Sequence, residues 1–485
     1  MGLFQKLFKQ TAIYGIATVV PRMLSFLLTP LYVEYLPSPE EFGEVSIVFS
    51  WIILFNVLLA YGMETAFFRF FHHDEHREKV TATSAISLIG STVLFLIFAF
   101  LSTDYISSTT NIASHYLEYV ILILALDALV VIPFAWLRAT EKPKVYAAVK
   151  IGNVAVNLGL NVFFLILLPR IAAENALFEY LYRPGFEIAY IFISNLIASA
   201  LTLLVMLPFY LKLKYSFDRS LLKNMLGYGT PILIAGIAFA INEAFDRILL
   251  GRLLPEGIAK FEVGAYSACY RLALFMTLFA TAFRMGIEPF FFSHAKEKDA
   301  RKTYALITKY FVIFGALILV VITIFSDLIK LVFIPNSDYW EAMVVVPMIL
   351  IANLFLGIYH NLSVWYKVSD RTRFAAYISV VGAVVTLALN FWLIPIYSYV
   401  GSAIATLAAY GSMMLLSFYF GRKYYPVPYD LKKIGGYLSL SIGFSVLYFY
   451  VFRNNYYIGS ILILIFFATI YFSEKDQLKQ LVKGS

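Results

Sequence analysis

The segment "WLRATEKPKV" (136–145) returns later in the chain as "WYKVSDRTRF" (365–374), at an offset of 229 residues. Three aligned pairs stand out: Trp136 with Trp365, Arg138 with Lys367, and Asn161 with Asn390. Similarity that persists at a nearly fixed offset indicates that a large unit occurs twice in the sequence. The two segments are basic turns between apolar stretches, so the repeated unit is itself built from several such stretches.

The composition decides the class of protein. Of 485 residues, 61% are hydrophobic and only 14% are charged, whereas soluble proteins carry roughly 25% charged residues. Apolar stretches of the length needed to cross a ~30 Å hydrocarbon core recur from end to end. The sequence therefore predicts an all-α polytopic membrane protein. The net charge of +8 does not indicate nucleic-acid binding, because the basic residues fall in short loops between the apolar stretches.

About fourteen stretches are long enough to span a bilayer, and their flanking charges give the topology. The predicted spans are 11–34, 42–66, 80–102, 116–138, 145–168, 187–209, 225–250, 263–291, 303–325, 341–366, 373–394, 400–421, 432–452 and 456–472. With the N-terminus inside, the inner segments hold 26 of the 38 Lys and Arg residues, and the outer segments hold 6. Basic residues concentrate on the cytoplasmic side, so both termini are predicted to be cytoplasmic.

Each copy of the repeat contains six spans. Six is an even number, so both copies enter the membrane from the same side and are parallel repeats. We therefore predict a first lobe over residues 1–212, a second lobe over 213–424, and two further helices with a cytoplasmic tail over 425–485. Two lobes that face each other leave a central cleft, which is typical of a transporter rather than of a pore or a receptor.

Several segments resemble a known family. "RMLSFLLTPLYVEYLPSPEEFGEVS" (22–46), followed by "GMETAFFRFF" (62–71), resembles the N-terminal signature of bacterial polysaccharide-biosynthesis flippases. "DRILLG" (246–251) and "GAYSACYRLA" (264–273) are similar to that family's seventh and eighth helices. These flippases belong to the multidrug/oligosaccharidyl-lipid/polysaccharide exporter superfamily. The resemblance implies translocation of an undecaprenyl-diphosphate-linked oligosaccharide across the bacterial inner membrane by alternating access. It also implies Na+ or H+ as the coupling ion and polysaccharide polymerases as partners.

Arg22 lies near the middle of predicted span 1, where a charge costs about 2.5–3.5 kcal/mol. Ser25 and Thr29 follow at i+3 and i+7 and extend a polar stripe along the same helix face. A guanidinium can bind phosphate oxygens as a bidentate fork, so we predict that Arg22 holds the diphosphate of the substrate. The alternative is a buried pair between Arg22 and Asp127 of span 4, and Asp127 is also a candidate for coupling to an ion.

Glu64 and Glu288 occupy matching positions in the aligned segments "GMETAFF" and "GIEPFFF", near the cytoplasmic ends of their spans. Arg284 stands at i−4 from Glu288, so that pair can form within one helix. Arg69 is five residues from Glu64 and less well placed. We predict that the two carboxylates form an inner gate that closes by pairing across the cleft with Arg284 or Arg69. The alternative is that each carboxylate merely terminates its helix at the interface.

A further group of charges lies in the outer halves of spans 7 and 8. The i,i+4 spacing predicts a pair between Glu243 and Arg247, which leaves Asp246 to meet Arg271 across the hairpin. We expect this group to be structural, with ion coupling as the alternative.

Span 5 presents one polar face, on which Lys150 and the amides of Asn153 and Asn157 follow each other at helical spacing. Asn side chains at helix interfaces often join helices through hydrogen bonds. The face therefore predicts either helix packing or part of the substrate site.

Three other functions compete with translocation of a lipid-linked oligosaccharide. A cation-coupled drug antiporter of the same superfamily would need an acidic cavity, whereas Arg22 and Lys150 outnumber Asp127 at midplane. A membrane glycosyltransferase or polymerase would need a large outer loop with catalytic charges, and the predicted outer loops are short. A lipid II flippase shares the fold and the basic cavity, so this alternative stays open. The sequence contains no phosphate-binding glycine loop and no metal-ligand spacing, so we expect no cofactor, no metal and no catalytic site.

Overall fold

The computed structural model describes residues 3–73, 77–293, 299–369 and 371–483. Within these ranges the chain is α-helical apart from short connections, one π-helical segment (Phe163–Leu167) and one 3-10 segment (Ser337–Val345), and it has no β-strand. This confirms the prediction of an all-α polytopic membrane protein.

The chain divides into two compact units, Met1–Ser267 and Ala268–Ser485. The helices of the first unit are α1 (Leu3–Phe26), α2 (Leu28–Tyr35), α3 (Pro39–Ala60), α4 (Met63–His73), α5 (Arg77–Leu101), α6 (Thr103–Thr110), α7 (Ser114–Ala139), α8 (Pro143–Val162), α9 (Leu168–Ala172), α10 (Ala176–Glu179), α11 (Glu187–Leu211) and α12 (Arg219–Leu253). The helix that contains the boundary is α13 (Glu256–Leu272). The helices of the second unit are α14 (Leu274–Ser293), α15 (Ala300–Phe333), α16 (Val346–Leu362), α17 (Val364–Val368), α18 (Arg373–Tyr424), α19 (Leu431–Val451) and α20 (Tyr456–Lys483).

Eleven helical segments among the described residues are long and apolar enough to cross a membrane, or twelve if the bent pair α13 and α14 is one span. The predicted count of fourteen is therefore not confirmed. One cause of the difference is that predicted spans 11 and 12 form the single 52-residue segment α18, which bends at the non-helical Ser398 (φ 49°, ψ −134°). Predicted span 7 lies within α12, whose 35 residues extend over about 50 Å at 1.5 Å per residue.

Two of the membrane-crossing segments in the first unit are interrupted near their charged residues. The first breaks at Leu27, between α1 and α2, in a stretch bracketed by Pro21 and Pro30. The second breaks between α3 and α4, where Tyr61 (φ 33°) and Gly62 (φ 72°) adopt left-handed conformations. Glycine is required at position 62 for a second reason, because a Cβ there would lie 2.3 Å from the backbone oxygen of Gly229 on α12.

A buried cluster explains why α12 groups with the first unit although it opens the second sequence repeat. Met63 and Phe67 of α4 pack with Leu88 of α5, Ile132 of α7 and Met225 of α12, and each side chain is at most 1% exposed. The unit boundary follows these contacts, whereas the predicted lobe boundary at 212 follows sequence similarity. Contacts between helices do not test a sequence repeat, so the lobe limits stay a prediction.

The last two helices of the second unit pack against α15. Ala316, Val320 and Ile324 of α15 form one buried cluster with Tyr448 of α19 and Phe466 of α20. Predicted spans 13 and 14, which have no counterpart in the repeat, thus form an antiparallel hairpin that is attached to the repeated part of the chain through α15.

Candidate functional site

The predicted polar stripe of the first span begins at the protein surface and continues into the interior. Arg22 is exposed, Ser25 is half-buried, and Thr29, beyond the helix break, is 1% exposed. The charge of Arg22 acts on Glu243 of α12. The structure therefore places a carboxylate near Arg22, and that carboxylate comes from α12 rather than from the predicted alternative partner, Asp127.

The charged group on α12 has a different pairing from the one predicted. The guanidinium of Arg247 contacts the carboxylate of Asp246 at 3.0 Å, and it donates a second hydrogen bond to the backbone oxygen of Glu243 at 3.1 Å. The other oxygen of Asp246 accepts a 2.7 Å hydrogen bond from the Tyr266 hydroxyl. Arg247 also acts electrostatically on the Glu243 carboxylate, in line with the predicted i,i+4 pair, but Asp246 is not left without it, because Asp246 contacts both Arg247 and Tyr266. Arg271, which was predicted to meet Asp246, belongs to the second unit.

Asp127 joins three helices of the first unit. One carboxylate oxygen accepts a 2.8 Å hydrogen bond from Ser199 on α11, and the other accepts a 3.4 Å bond from the Asn56 amide on α3. Lys150 on α8 acts on the carboxylate electrostatically, and its ammonium lies 4.3 Å from the ring centre of Phe134. A half-buried carboxylate with polar donors and a nearby cation is an arrangement that can change its proton or ion occupancy.

One amide on α8 bonds to a neighbouring helix, and two others bond to each other within α8. Asn153 donates a 2.9 Å hydrogen bond to the Thr202 hydroxyl on α11, and Asn161 donates to the side chain of Asn157 at 2.9 Å. Asn161 also bonds the backbone oxygen four residues before it at 2.8 Å, and its repeat partner Asn390 makes the same bond at 2.7 Å. The bond from Asn153 favours the packing interpretation at that position, whereas the bonds between Asn161 and Asn157 stay within α8.

The matched carboxylates Glu64 and Glu288 each form an ion pair within their own unit. Arg138 of α7 contacts Glu64 at 2.6 Å, and Lys367 of α17 contacts Glu288 at 2.5 Å. The sequence alignment had already placed Arg138 over Lys367, so both members of the pair recur together. The side chains are between 30% and 47% exposed, and such partly solvated pairs contribute little to folding.

The two arginines predicted to complete an inner gate lie close to these pairs. Arg69 stacks on Tyr228 of α12, with 4.2 Å between its guanidinium carbon and the ring centre. Arg284 lines a small pocket of the second unit together with Glu288, His360 and Lys367. The pair between Glu64 and Arg138 was not predicted, although the recurrence of opposite charges at two sets of matched positions was a signal for it.

Two charge clusters with buried carboxylates attach the C-terminal hairpin to α15, and local sequence patterns do not reveal them. At one end, Glu474 of α20 contacts Lys309 of α15 at 2.5 Å and Lys433 of α19 at 3.0 Å. At the other end, Asp327 of α15 accepts two 2.8 Å hydrogen bonds from the guanidinium of Arg453. We call these the two clamps of the hairpin. Across the described part of the chain, no three His, Cys, Asp or Glu residues are grouped as metal ligands.

The chain matches two family models. The model described as "Polysaccharide biosynthesis protein" covers residues 7–293, and the MatE model covers residues 231–392. A sequence relative is the Lsg locus putative protein 1 of Haemophilus influenzae, which is 23% identical over 301 residues. That alignment covers 60% of this chain and 68% of the relative.

Two solved structures have the same fold. The lipid II flippase MurJ, in an inward closed conformation, superposes with a TM-score of 0.74 at 17% identity, covering 95% of this chain and 99% of MurJ. An inward-facing multidrug resistance MATE family transporter superposes with a TM-score of 0.65 at 14% identity, covering 87% of this chain and 98% of the transporter. These proteins are flippases and transporters rather than catalytic enzymes. The first family model covers more than half of the chain, which therefore belongs to the polysaccharide biosynthesis protein family.

Proposed function

We propose that this protein translocates an undecaprenyl-diphosphate-linked oligosaccharide from the cytoplasmic to the outer leaflet of the bacterial inner membrane, for synthesis of a cell-surface polysaccharide. The observation that carries the proposal is the match of residues 7–293 to the polysaccharide biosynthesis family. The same proposal includes cytoplasmic termini, two lobes over 1–212 and 213–424, and polysaccharide polymerases as partners.

Arg22 is proposed to bind the diphosphate. It is exposed on a helix that breaks five residues later, and broken helices near the midplane are common in transporter binding sites. Tyr14 of α1 packs on Tyr146 of α8 with 5.4 Å between ring centres. Both helices are predicted to run outward, so Arg22 lies at about the height of Asn153 on α8. Lys150 is then about one turn closer to the cytoplasm and supplies a second cation.

The remaining predicted residues have secondary roles in this proposal. Ser25 continues the polar stripe toward the helix break, whereas the burial of Thr29 and the bonds that occupy the amides of Asn153 and Asn157 argue that these three shape the site rather than contact the substrate. Asp127 is proposed as the group that couples transport to Na+ or H+, because it is a half-buried carboxylate with hydroxyl and amide donors.

The test of substrate binding is rescue of surface polysaccharide in a strain that lacks its own flippase. Arg22→Ala should abolish rescue at unchanged protein level, and Arg22→Lys should retain part of it, because the lysine keeps the charge but not the planar fork. Arg170→Ala, at an exposed arginine of the same unit, is the matched control and should rescue fully.

A second variant separates substrate binding from charge neutralisation. If Arg22 only neutralises Glu243, then Arg22→Ala combined with Glu243→Gln should restore the rescue that Arg22→Ala loses. Such recovery, or normal rescue by Arg22→Ala alone, would overturn the binding role. Arg22→Ala combined with Asp127→Asn should stay inactive, because Asp127 is held by Ser199 and Asn56.

The gating part of the proposal has its own experiment. Glu64, Glu288 and Arg284 are proposed to lie at the inner mouth of the transport path, where the ion pairs with Arg138 and Lys367 break and reform as the lobes move. Cysteines introduced by Glu64→Cys and Glu288→Cys should crosslink in an outward-open state and separate in an inward-open state. A crosslinking yield that does not depend on the state would exclude a gate.

A lipid II flippase is the second candidate, because MurJ superposes over 95% of this chain. Both substrates carry a diphosphate on a polyprenyl lipid, so Arg22 would have the same role. The two functions are separated by complementation: growth rescue of a strain depleted of its lipid II flippase would favour the second candidate. Rescue of surface polysaccharide without growth rescue would favour the first.

A further inference from the structure

A cavity of about 530 Å³ opens in the first unit at the end of the membrane where α5 and α8 begin and α7 and α11 end. It is separate from the polar stripe of Arg22 and from the ion pair of Glu64, neither of which lines it. With cytoplasmic termini, this is the cytoplasmic end of all four helices. We call it the basal pocket.

The rim of the basal pocket is strongly basic. Four cations line it, Arg77, Lys142, Lys212 and Lys214, against the single carboxylate of Glu78. Glu78 contacts Lys214 at 3.2 Å, which leaves three cations that have no ion-pair partner among the described residues. The N-termini of α5 and α8 and the C-termini of α7 and α11 meet at this pocket, so their dipoles largely offset each other and the side chains set the positive charge.

The wall of the basal pocket is apolar and aromatic. Trp136, Leu137, Met206 and Phe209 line it, and the ammonium of Lys142 lies 4.2 Å from the ring centre of Trp136. The wall continues to Val205 of α11, which is 60% exposed on the surface of the protein. A soluble anion would use the rim alone, whereas a lipid would use the rim for its headgroup and the wall and α11 for an acyl chain.

We propose that the basal pocket binds an anionic glycerophospholipid of the inner leaflet, with its phosphate among Lys142, Lys212 and Arg77. Basic pockets between the cytoplasmic ends of membrane helices suit anionic headgroups, and the charge on this rim does not suit a zwitterionic one. The bound lipid contacts Lys142 in the turn between α7 and α8, and Lys142 follows Arg138 by four residues. It is therefore placed to stabilise the conformation in which Arg138 contacts Glu64.

The test uses the full-length protein in detergent, titrated with dioleoylphosphatidylglycerol or dioleoylphosphatidylcholine and followed by native mass spectrometry. The unchanged protein should retain the anionic lipid in preference to the zwitterionic one. Lys142→Gln and Lys212→Gln should each weaken binding of the anionic lipid roughly fivefold, the equivalent of about 1 kcal/mol for each basic residue near an anionic lipid. Lys223→Gln, at an exposed lysine on the same side but outside the pocket, should change nothing.

Two results would overturn the proposal. The first is equal loss of anionic-lipid binding in Lys223→Gln and in the pocket variants, which would indicate a diffuse basic surface. The second is displacement of the bound lipid by glycerol phosphate at equal concentration, which would indicate a site for soluble anions. Because the rim side chains are exposed, these substitutions should leave folding unchanged, and circular dichroism checks this directly.

Discussion

The clamp between Lys309 and Glu474 allows a quantitative test of how the C-terminal hairpin is attached. The two side chains are 4% and 1% exposed, and their charged atoms lie 2.5 Å apart. Glu474 also contacts Lys433 at 3.0 Å and accepts a 2.8 Å hydrogen bond from the Tyr437 hydroxyl. Removing Glu474 therefore takes a carboxylate away from two lysines, whereas removing Lys309 leaves the carboxylate with two donors.

This asymmetry gives an order of effects. Removing one partner of a buried ion pair costs roughly 3–5 kcal/mol, and we expect Glu474→Gln to fall in that range. Lys309→Met should cost about 1.5–3 kcal/mol, the contribution of one hydrogen bond to a charged group. The double variant should be more stable than the sum of the single effects by at least ~1 kcal/mol, because the methionine removes the buried charge that Glu474→Gln leaves behind.

The measurement is the denaturant dependence of unfolding of the purified protein in detergent. Lys302→Met is the matched control, because Lys302 pairs with Asp299 in the same unit while 79% exposed, and such a pair is worth about 0–1 kcal/mol. Additive effects of Lys309→Met and Glu474→Gln, or a loss in Lys302→Met as large as in Glu474→Gln, would refute the reasoning.

Three further predictions concern the first unit and the lone cysteine. Charge reversal by Arg138→Glu should impair polysaccharide rescue, and the exchange with Glu64→Arg should restore it; an exchange as inactive as the single variant would contradict a functional pair. Gly264→Ala should lower thermal stability, because its Cβ would lie 1.9 Å from a backbone oxygen of α3. Gly257→Ala, which meets nothing within 4 Å, should not lower it, and similar melting temperatures would exclude a tight crossing. Cys269 is 0% exposed, so a maleimide should label the protein only after denaturation, and rapid labelling of the folded protein would be inconsistent with this burial.

The sequence was sufficient to predict properties that depend on local composition. Apolar length identified the all-helical membrane class, although not the exact number of spans, and the aligned segments placed Glu64 and Glu288 at matching positions. The breaks at Leu27 and Gly62 lie close to prolines or a glycine, which local sequence also reveals. These features need no knowledge of which helices are neighbours.

Partners across helices were not predictable by the same rules. The i,i+4 spacing predicts an interaction of Arg247 with Glu243, but it does not reveal that Arg247 also contacts the adjacent Asp246. Lys309 was a charge inside an apolar stretch, yet its partner Glu474 is 165 residues away. The insertion cost marks such a charge as unusual, but a single sequence does not show which of the distant carboxylates is its partner.

The recurring ion pair limits how the two halves of a duplicated sequence can diverge. The acidic member is glutamate in both copies, while the basic member is Arg138 in one and Lys367 in the other. The proposed gate needs both members of each pair, so substitutions at these positions are expected to occur in compensating pairs, or as exchanges between arginine and lysine that keep the sign. The halves can therefore drift apart in hydrogen-bond geometry, while the sign of each charge is kept. In related chains, a neutral residue at position 64 should accompany a neutral residue at position 138.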